Sequence, residues 1–566
     1  MLKLTEQVSF KQRALAGISV AVIVAGAYSP ALAVAPTGWI YAGGATFPEK
    51  AYRDIMNCYG NHSGTNTELG LTSHICSTGD TGFTAPYKPG VQVLYAGVGS
   101  GNGKAAWINH DAAQLKNGNR VPDKTPVPST ADKQDQFTDG TVGAYGTNWY
   151  NFLSGTNLVD HRGTNNPFAS ISFVGSDDPL LSTDLVGAGK YNANSAANDW
   201  GPAIQVPALV GTVALMYNPA SGGNISWTEN GVAPAAPTIG TPSGVSLTTN
   251  TWCGIMTRAI TDWNDAAITA DNQGTSITGN VSAPITVVVR SDGSGTTFLM
   301  ANAMIQQCAI STHPVPNSWQ TAAGNALGVS NNSWFHNVNA AFPGSFNEQS
   351  GSGNVTATVK ANAGYVGYAS VDFSAPTDPS GPKAMNLQTY VSFSGNTTAV
   401  FRQPNKSSGS AIMVGTPIPP STAGSCLVSA FYDKGTSPDG KCSHNPVNWG
   451  VTNPAPLSAN AYPVGGFTFM FMYSCYQTAA NGGLTTAPRL VGNVGKVGYL
   501  RWYFGTTTVN AVKVNNSLAK NGFGPIPPAW RTAVYNLLFT DTKTKIGAPG
   551  ALGTACSAFT GSIKGA

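Results

Sequence analysis

Short apolar runs alternate with segments of helical period along most of this chain. Val91–Tyr95, Ile171–Val174, Ile285–Val289 and Tyr365–Tyr368 read as strands, and the first three run straight into turns rich in Gly, Ser and Asp. Helical patterns follow glycine turns at Glu49–Tyr59 and Phe298–Cys308. This alternation predicts an α/β fold. Two longer runs, Ile204–Asn218 and Tyr462–Tyr473, carry no charge, and the first is interrupted by Pro207 and Gly211. Both predict buried central strands. Lying far apart in sequence, they can carry the chain between two lobes and back as a two-stranded hinge. Between the patterned segments lie Ser63–Gly90, Asp111–Asn166, Pro219–Thr249, Val315–Gly353 and Ala375–Asn460, rich in Gly, Pro, Ser, Thr and Asn. These predict surface loops or small β additions. There is no internal repeat, and 566 residues suggest two or three lobes.

The first residues bear on the compartment. Lys3, Lys11 and Arg13 precede an apolar stretch from Ala14 to Ala27, and Ala31-Leu32-Ala33 places small residues at a cleavage site. The layout predicts a secretory signal peptide over residues 1–33, with an apolar run too short for a membrane span. The mature chain is expected to start at Val34 and to be periplasmic or secreted. With no Cys before Cys58, a lipid-anchored form is not expected. Nor is any membrane insertion expected after cleavage.

Composition agrees with export. Charged residues are 10% of the chain, against roughly 25% in ordinary soluble domains. A net charge of +4 without basic clusters argues against nucleic acid as a partner. Eight Cys in an exported chain favour disulfides over metal ligation or a catalytic thiol. Proximity suggests Cys58–Cys76 and Cys426–Cys442; the other four stay open on sequence alone. The seven His are scattered, so neither a metal site nor a cofactor is expected.

Four segments carry the candidate chemistry: Gly43–Pro48, Gly97–Lys104, Val174–Leu180 and Arg290–Thr297. Three of them set hydroxyls and Gly amides at a helix N-terminus, where unpaired N–H groups and the helix dipole favour an anion. Glycines allow close approach of a ligand to the main chain. Arg290 adds a fork of donors matched to an oxyanion. Each segment alone is an ordinary turn; together, in this order, they are specific. Val98–Ala105 mimics a phosphate-binding P-loop, but Val98 and Ala105 occupy positions that need Gly and Ser/Thr. No Gly-x-Ser-x-Gly elbow is present, and adjacent Asp177-Asp178 do not by themselves make an acid/base dyad.

GGATFP, YAGVGSGNGK, FVGSDDPL and VVVRSDGSGTTF resemble the four ligand segments of the periplasmic phosphate-binding proteins of ABC transporters. More closely, DWGPAIQVPALVGTVALMYN, ANAGYVGYASVDFSAPT, AYPVGGFTFMFMYSCY and NGFGPIPPAWRTAVYNLLF resemble the DING branch. The likeness runs discontinuously from Gly43 to Cys556 and lapses in the long loops. Asp292 stands where DING proteins often have Glu. The resemblance implies a two-lobed, type II periplasmic-binding-protein fold with a two-stranded hinge and long loop insertions. Lobe I would take 34–210 plus 462–566, and lobe II 211–461.

It also implies the site. Thr46 and Phe47 would offer a backbone amide and a hydroxyl, and Ser100 its hydroxyl and amide. Arg290 would neutralise the anion, held by Asp292, while Ser294, Gly295 and Thr296 would cap it from a helix N-terminus. Asp177 would accept the proton that phosphate carries and sulfate lacks. Cys253–Cys308 and Cys475–Cys556 are the disulfides the resemblance implies. Inorganic phosphate is then the expected ligand and an ABC transporter permease the expected partner. A binding protein without turnover, and so without catalytic residues, is the first expectation. A secreted DING-type phosphatase or phosphodiesterase is the second, and a surface or filament subunit the third.

Overall fold

The computed structural model describes residues 38–59, 91–110, 171–194, 200–240, 243–317, 334, 346–422, 439–476, 498–505, 508–547 and 555. The predicted leader at 1–33, Ser63–Gly90, Asp111–Asn166, Cys76, Cys426 and Cys556 lie outside them. Among the described residues, ten strands form one mixed sheet. On one side β1 (Gly38–Gly44) lies parallel between β2 (Val91–Gly97) and β3 (Phe173–Ser176). On the other, β6 (Thr286–Arg290) lies parallel between β7 (Asn347–Gln349) and β8 (Tyr365–Ser370).

Two antiparallel strands join these halves, β4 (Ala203–Tyr217) and β12 (Gly465–Tyr473). Residues 203–212 of β4 pair with β12, and residues 213–217 pair with β8. One strand therefore belongs to both halves. Every residue of β4 and β12 is buried, which is why both read as unbroken apolar runs rather than alternating ones. Pro207 has no N–H to give the ladder, and the pairing slips by one residue there, with Thr468 opposite Leu209 and Phe469 opposite Pro207.

Short strands complete the framework. β9 (Lys383–Ala384) and β13 (Gly524–Pro525) add to β4, while β5 (Ser246–Leu247), β10 (Asn386–Gln388) and β11 (Phe401–Arg402) make a separate small sheet. The stretch Val315–Gly353, expected as surface loop or a small β addition, ends in the short strand β7 and, beyond that expectation, in the start of a helix. Its polar strand NEQ gives no apolar signal, because β7 is an edge strand with partly exposed side chains.

Six helices build or brace the site: α1 (Glu49–Tyr59), α2 (Ser100–Asn109), α3 (Gly295–Gln307), α4 (Ser352–Ala361), α5 (Thr508–Lys520) and α6 (Pro528–Phe539). Aliphatic and aromatic side chains together cover the apolar faces of the sheet. Trp107 of α2 stacks on Tyr191 at 4.1 Å, and Trp530 of α6 lies 6.3 Å from Phe467 of β12. Cys253 and Cys308 are joined, with Cα atoms 5.7 Å apart, tying the helix Thr249–Met256 to the end of α3. Cys58, Cys442 and Cys475 are also disulfide-bonded; the partners expected for them lie outside the described residues. No helix among the described residues is long and apolar enough to cross a membrane.

Candidate functional site

The three strand ends β1, β3 and β6 and the starts of helices α1, α2, α3 and α4 meet at one place. Backbone geometry makes this possible. Gly44 has φ +121°, and a Cβ there would lie 2.1 Å from the carbonyl oxygen of Gly175. Gly99, at the N-cap of α2, has φ +91°, and a Cβ there would lie 2.9 Å from both Asp292 Oδ2 and the carbonyl oxygen of Gly293. Glycine alone fits either position. The Gly101 N–H donates to the Gly293 carbonyl at 3.0 Å. This bond joins α2, next to the β1–β3 half of the sheet, to the turn after β6 in the other half.

Arg290, at the end of β6, is fully buried. Its Nε and Nη2 donate to Asp292 Oδ1 and Oδ2 at 2.6 and 2.5 Å. Its Nη1 donates to Thr46 Oγ1 at 3.3 Å and Ser352 Oγ at 3.1 Å, and those two hydroxyls are hydrogen-bonded to each other at 3.1 Å. Asp292 also accepts the Gly351 N–H at 3.0 Å. Burial pushes the Asp292 carboxyl up, but Arg290 and the surrounding N–H donors outweigh it and leave it below the usual carboxylate range. The pair is thus a fixed ion pair whose guanidinium reaches across to the turn before α1 and to the first residue of α4.

Asp177, directly after β3, is fully buried as well. Its Oδ1 accepts the Thr468 hydroxyl at 2.6 Å, and its Oδ2 accepts from Ser100 Oγ at 3.4 Å. The Asp177 N–H in turn donates to Ser100 Oγ at 3.2 Å. Burial raises this carboxyl to about 7 against the pull of Thr468, Ser100 and Arg290. Gly295, the first residue of α3, sits against this pair: a Cβ there would be 2.3 Å from Ser100 Oγ and 2.6 Å from Asp177 Oδ2. Ser294 caps α3, accepting the Thr297 N–H at 3.1 Å. The Thr296 hydroxyl is buried and has no hydrogen-bond partner among the described residues. A buried hydroxyl left alone costs about 1–3 kcal/mol, so this atom marks a place where a polar ligand would be welcome.

The structure therefore brings Thr46, Ser100, Asp177, Arg290, Asp292, Ser294, Gly295 and Thr296 together around one point. Phe47 follows Thr46 in the chain, and its ring packs edge-on to Phe523 at 5.3 Å. Lys104, the lysine of the false P-loop, pairs instead with Asp178 at 3.3 Å and Asp184 at 2.8 Å, and so pins the turn that carries Asp177. Two residues at the centre escape the sequence reading, Ser352 and Thr468. The first stands in a Ser-Gly-Ser-Gly run preceding a helix, a signal of the same kind as Gly99-Ser100-Gly101. The second lies inside an apolar strand and gives no signal. Among the described residues, no group of three or more His, Cys, Asp or Glu is placed to hold a metal. The chemistry on offer is oxyanion capture by a guanidinium, hydroxyls and helix N-termini, with one carboxyl opposed to them.

A second buried acid shares the behaviour of Asp177. Asp372 accepts from Ser370 Oγ at 2.5 Å through Oδ1, while its buried Oδ2 has no partner among the described residues. Burial raises it to about 7 despite Lys50 nearby. In the unfolded chain both acids would titrate near 3.9. Their contribution to stability is therefore complete below that pH and is lost as pH rises through about 7. We expect the unfolding free energy of the ligand-free protein, read from urea titrations, to fall between pH 5 and pH 7.5 by at most about 1.4 kcal/mol per pH unit for each group. Asp372→Asn should flatten that slope; an unchanged slope would show that Asp372 stays ionised in the fold.

Comparison with known proteins places this arrangement. The chain is 25% identical over 505 residues to alkaline phosphatase L of Pseudomonas aeruginosa, covering 89% of this chain and 90% of that one. It is 24% identical over 506 residues to a phosphate-binding protein of an unknown prokaryotic organism, covering 88% and 93%. Its fold is similar to that of a high affinity periplasmic phosphate-binding protein (PfluDING) bound with phosphate. The TM-score is 0.51 and the identity 22%, covering 90% of this chain and 96% of that one. A phosphate-binding protein from Stenotrophomonas maltophilia has a TM-score of 0.50 at 20% identity, covering 91% and 97%. Residues 76–434, more than half of the chain, match the family model described as the PBP superfamily domain, and the chain belongs to that superfamily.

Proposed function

We propose that this protein is an exported binding protein that encloses one inorganic phosphate ion between two lobes. Lobe I is 34–210 with 462–566, lobe II is 211–461, and β4 and β12 are the hinge between them. The observation that carries the reading is the buried Asp177 carboxyl on the same anion site as Arg290. A carboxyl beside an anion is repulsive unless one of them carries a proton. Phosphate near neutral pH has a proton to donate; sulfate has none. An acceptor left facing an acceptor costs about 1–3 kcal/mol, which is large for selectivity. The names of the relatives support phosphate over other oxyanions. The leader at 1–33 supports a periplasmic or secreted location, and the family resemblance supports delivery to an ABC transporter permease.

Labelled phosphate should bind saturably at micromolar concentration, with sulfate a poor competitor even in roughly hundredfold excess. Absence of saturable binding at that concentration would sink the proposal. Gly295→Ala should weaken phosphate binding at least tenfold, the equivalent of about 1.4 kcal/mol. Its Cβ would drive Ser100 and Asp177 away from the start of α3. Titration calorimetry on the folded variant checks this, and an unaltered affinity would mean that the three turns do not share a ligand.

The relatives named alkaline phosphatase L make phosphomonoester hydrolysis the second reading. Against it, Thr46, Ser100, Asp177, Arg290 and Thr296 are each 3% exposed or less, and so deep a site leaves little room for the alcohol portion of an ester. Hydrolysis of an aryl phosphate that persists at full rate in an Arg290 variant would assign that activity to a contaminant or another site. Hydrolysis lost with Arg290 would favour the enzyme.

A further inference from the structure

The Asp177 carboxyl has two hydrogen-bond donors among the described residues, and the shorter bond comes from the opposite end of the chain. Thr468 is fully buried in β12, and its hydroxyl donates to Oδ1 at 2.6 Å, whereas Ser100 reaches Oδ2 at 3.4 Å. A donor on a carboxylate oxygen favours the ionised form. It also fixes which oxygen is left for a ligand. Here Oδ1 holds the short bond, and Oδ2, with only the long Ser100 bond, faces the start of α3. Thr468 itself sits where the β4–β12 ladder slips beside Pro207, a kind of irregularity that re-aims side chains next to sites.

We propose, on the strength of the phosphate reading, that Thr468 is a specificity-determining positioning residue. By donating to Oδ1 it keeps Asp177 a proton acceptor with Oδ2 turned to the anion, and so sets the pH range over which a fully deprotonated oxyanion such as sulfate is refused. Among the described residues, the other charged and titratable groups facing Asp177 are Arg290 from β6, Tyr52 from α1 and the adjacent Asp178, which is itself paired with Lys104 of α2. Arg290 and Asp178 act on the carboxyl through their charge, the buried Tyr52 phenol stays neutral, and Thr468 and Ser100 act through hydrogen bonds. Because burial has already brought that carboxyl to about 7, losing one donor moves its titration across the working pH. Once protonated, Asp177 becomes a donor and sulfate fits.

The test is competition between labelled phosphate and sulfate from pH 5.5 to 9 for wild type, Thr468→Val and Thr468→Ser. In the wild type, sulfate should compete poorly at high pH and better below the titration of Asp177. Valine should move that crossover up by about one pH unit and reduce discrimination at pH 7.5 roughly tenfold, changing phosphate affinity less than it changes sulfate affinity. Serine, which retains the hydroxyl, should behave as wild type. A crossover that stays put in the valine variant overturns the proposal. So does an equal weakening of both anions at every pH, because that is the signature of packing alone. If circular dichroism shows that the valine variant does not fold, Thr468→Ala replaces it under the same criteria. Wild type that fails to bind phosphate removes the parent reading, whereas wild type that binds while the crossover is unmoved removes only the role of Thr468.

Discussion

Arg290→Met is expected to abolish phosphate binding at micromolar concentration. Arg290 brings the site's own positive charge, and its Nη1 also holds Thr46 and Ser352 in place. Removing it forfeits charge-assisted hydrogen bonds worth about 1.5–3 kcal/mol each and leaves Asp292 buried without its counter-ion. Breaking a buried pair from one side costs about 3–5 kcal/mol, so the single variant should also unfold at lower urea. Adding Asp292→Asn to it should restore much of the stability and none of the binding, which separates the two losses. Arg290→Lys should stay charged yet bind at least tenfold more weakly, about 1.4 kcal/mol. An ammonium cannot grip both oxygens of Asp292 and reach two hydroxyls at once. Calorimetric titration and urea unfolding report the two quantities. Phosphate binding by Arg290→Met within tenfold of wild type would place the anion elsewhere.

Asp177→Asn is expected to admit sulfate. The amide can donate where the carboxylate could only accept, so the acceptor-facing-acceptor penalty disappears. At about 1–3 kcal/mol, sulfate should gain roughly 5- to 150-fold in affinity, and its binding should lose the pH dependence expected of the wild type. Phosphate should lose less than sulfate gains, because Arg290, Ser100 and the start of α3 are untouched. Competition at pH 8, where the wild-type carboxyl is ionised, gives the clearest contrast. The same phosphate-to-sulfate ratio in both proteins would refute the proton-acceptor role, and with it the basis for Thr468.

The four anion turns are readable from sequence because their signal is local. Strand, glycine turn, hydroxyl and helix start occur within a dozen residues, and each of Gly43–Pro48, Gly97–Lys104, Val174–Leu180 and Arg290–Thr297 lies at such a junction. The central strands are readable for a related reason: a strand covered on both faces must be apolar throughout. The polar edge strand β7 obeys no such constraint and looks like loop. Ser352 is hidden in the same polar stretch.

By itself, then, the order of residues determined the α/β class, the two long central strands and which turns are candidates to meet an anion. Tertiary structure alone decided how those turns are wired together. Thr46 meets Ser352 across 306 positions of sequence, and Asp177 meets Thr468 across 291. Hydrogen-bonding a carboxyl to a particular hydroxyl depends on strand order and register, and a one-residue slip beside Pro207 is part of that register. Burial, which brings Asp177 to about 7, is likewise a property of everything packed around it. The residue types of the proposed anion site are therefore written locally, while its proton chemistry arises only when distant segments close over it.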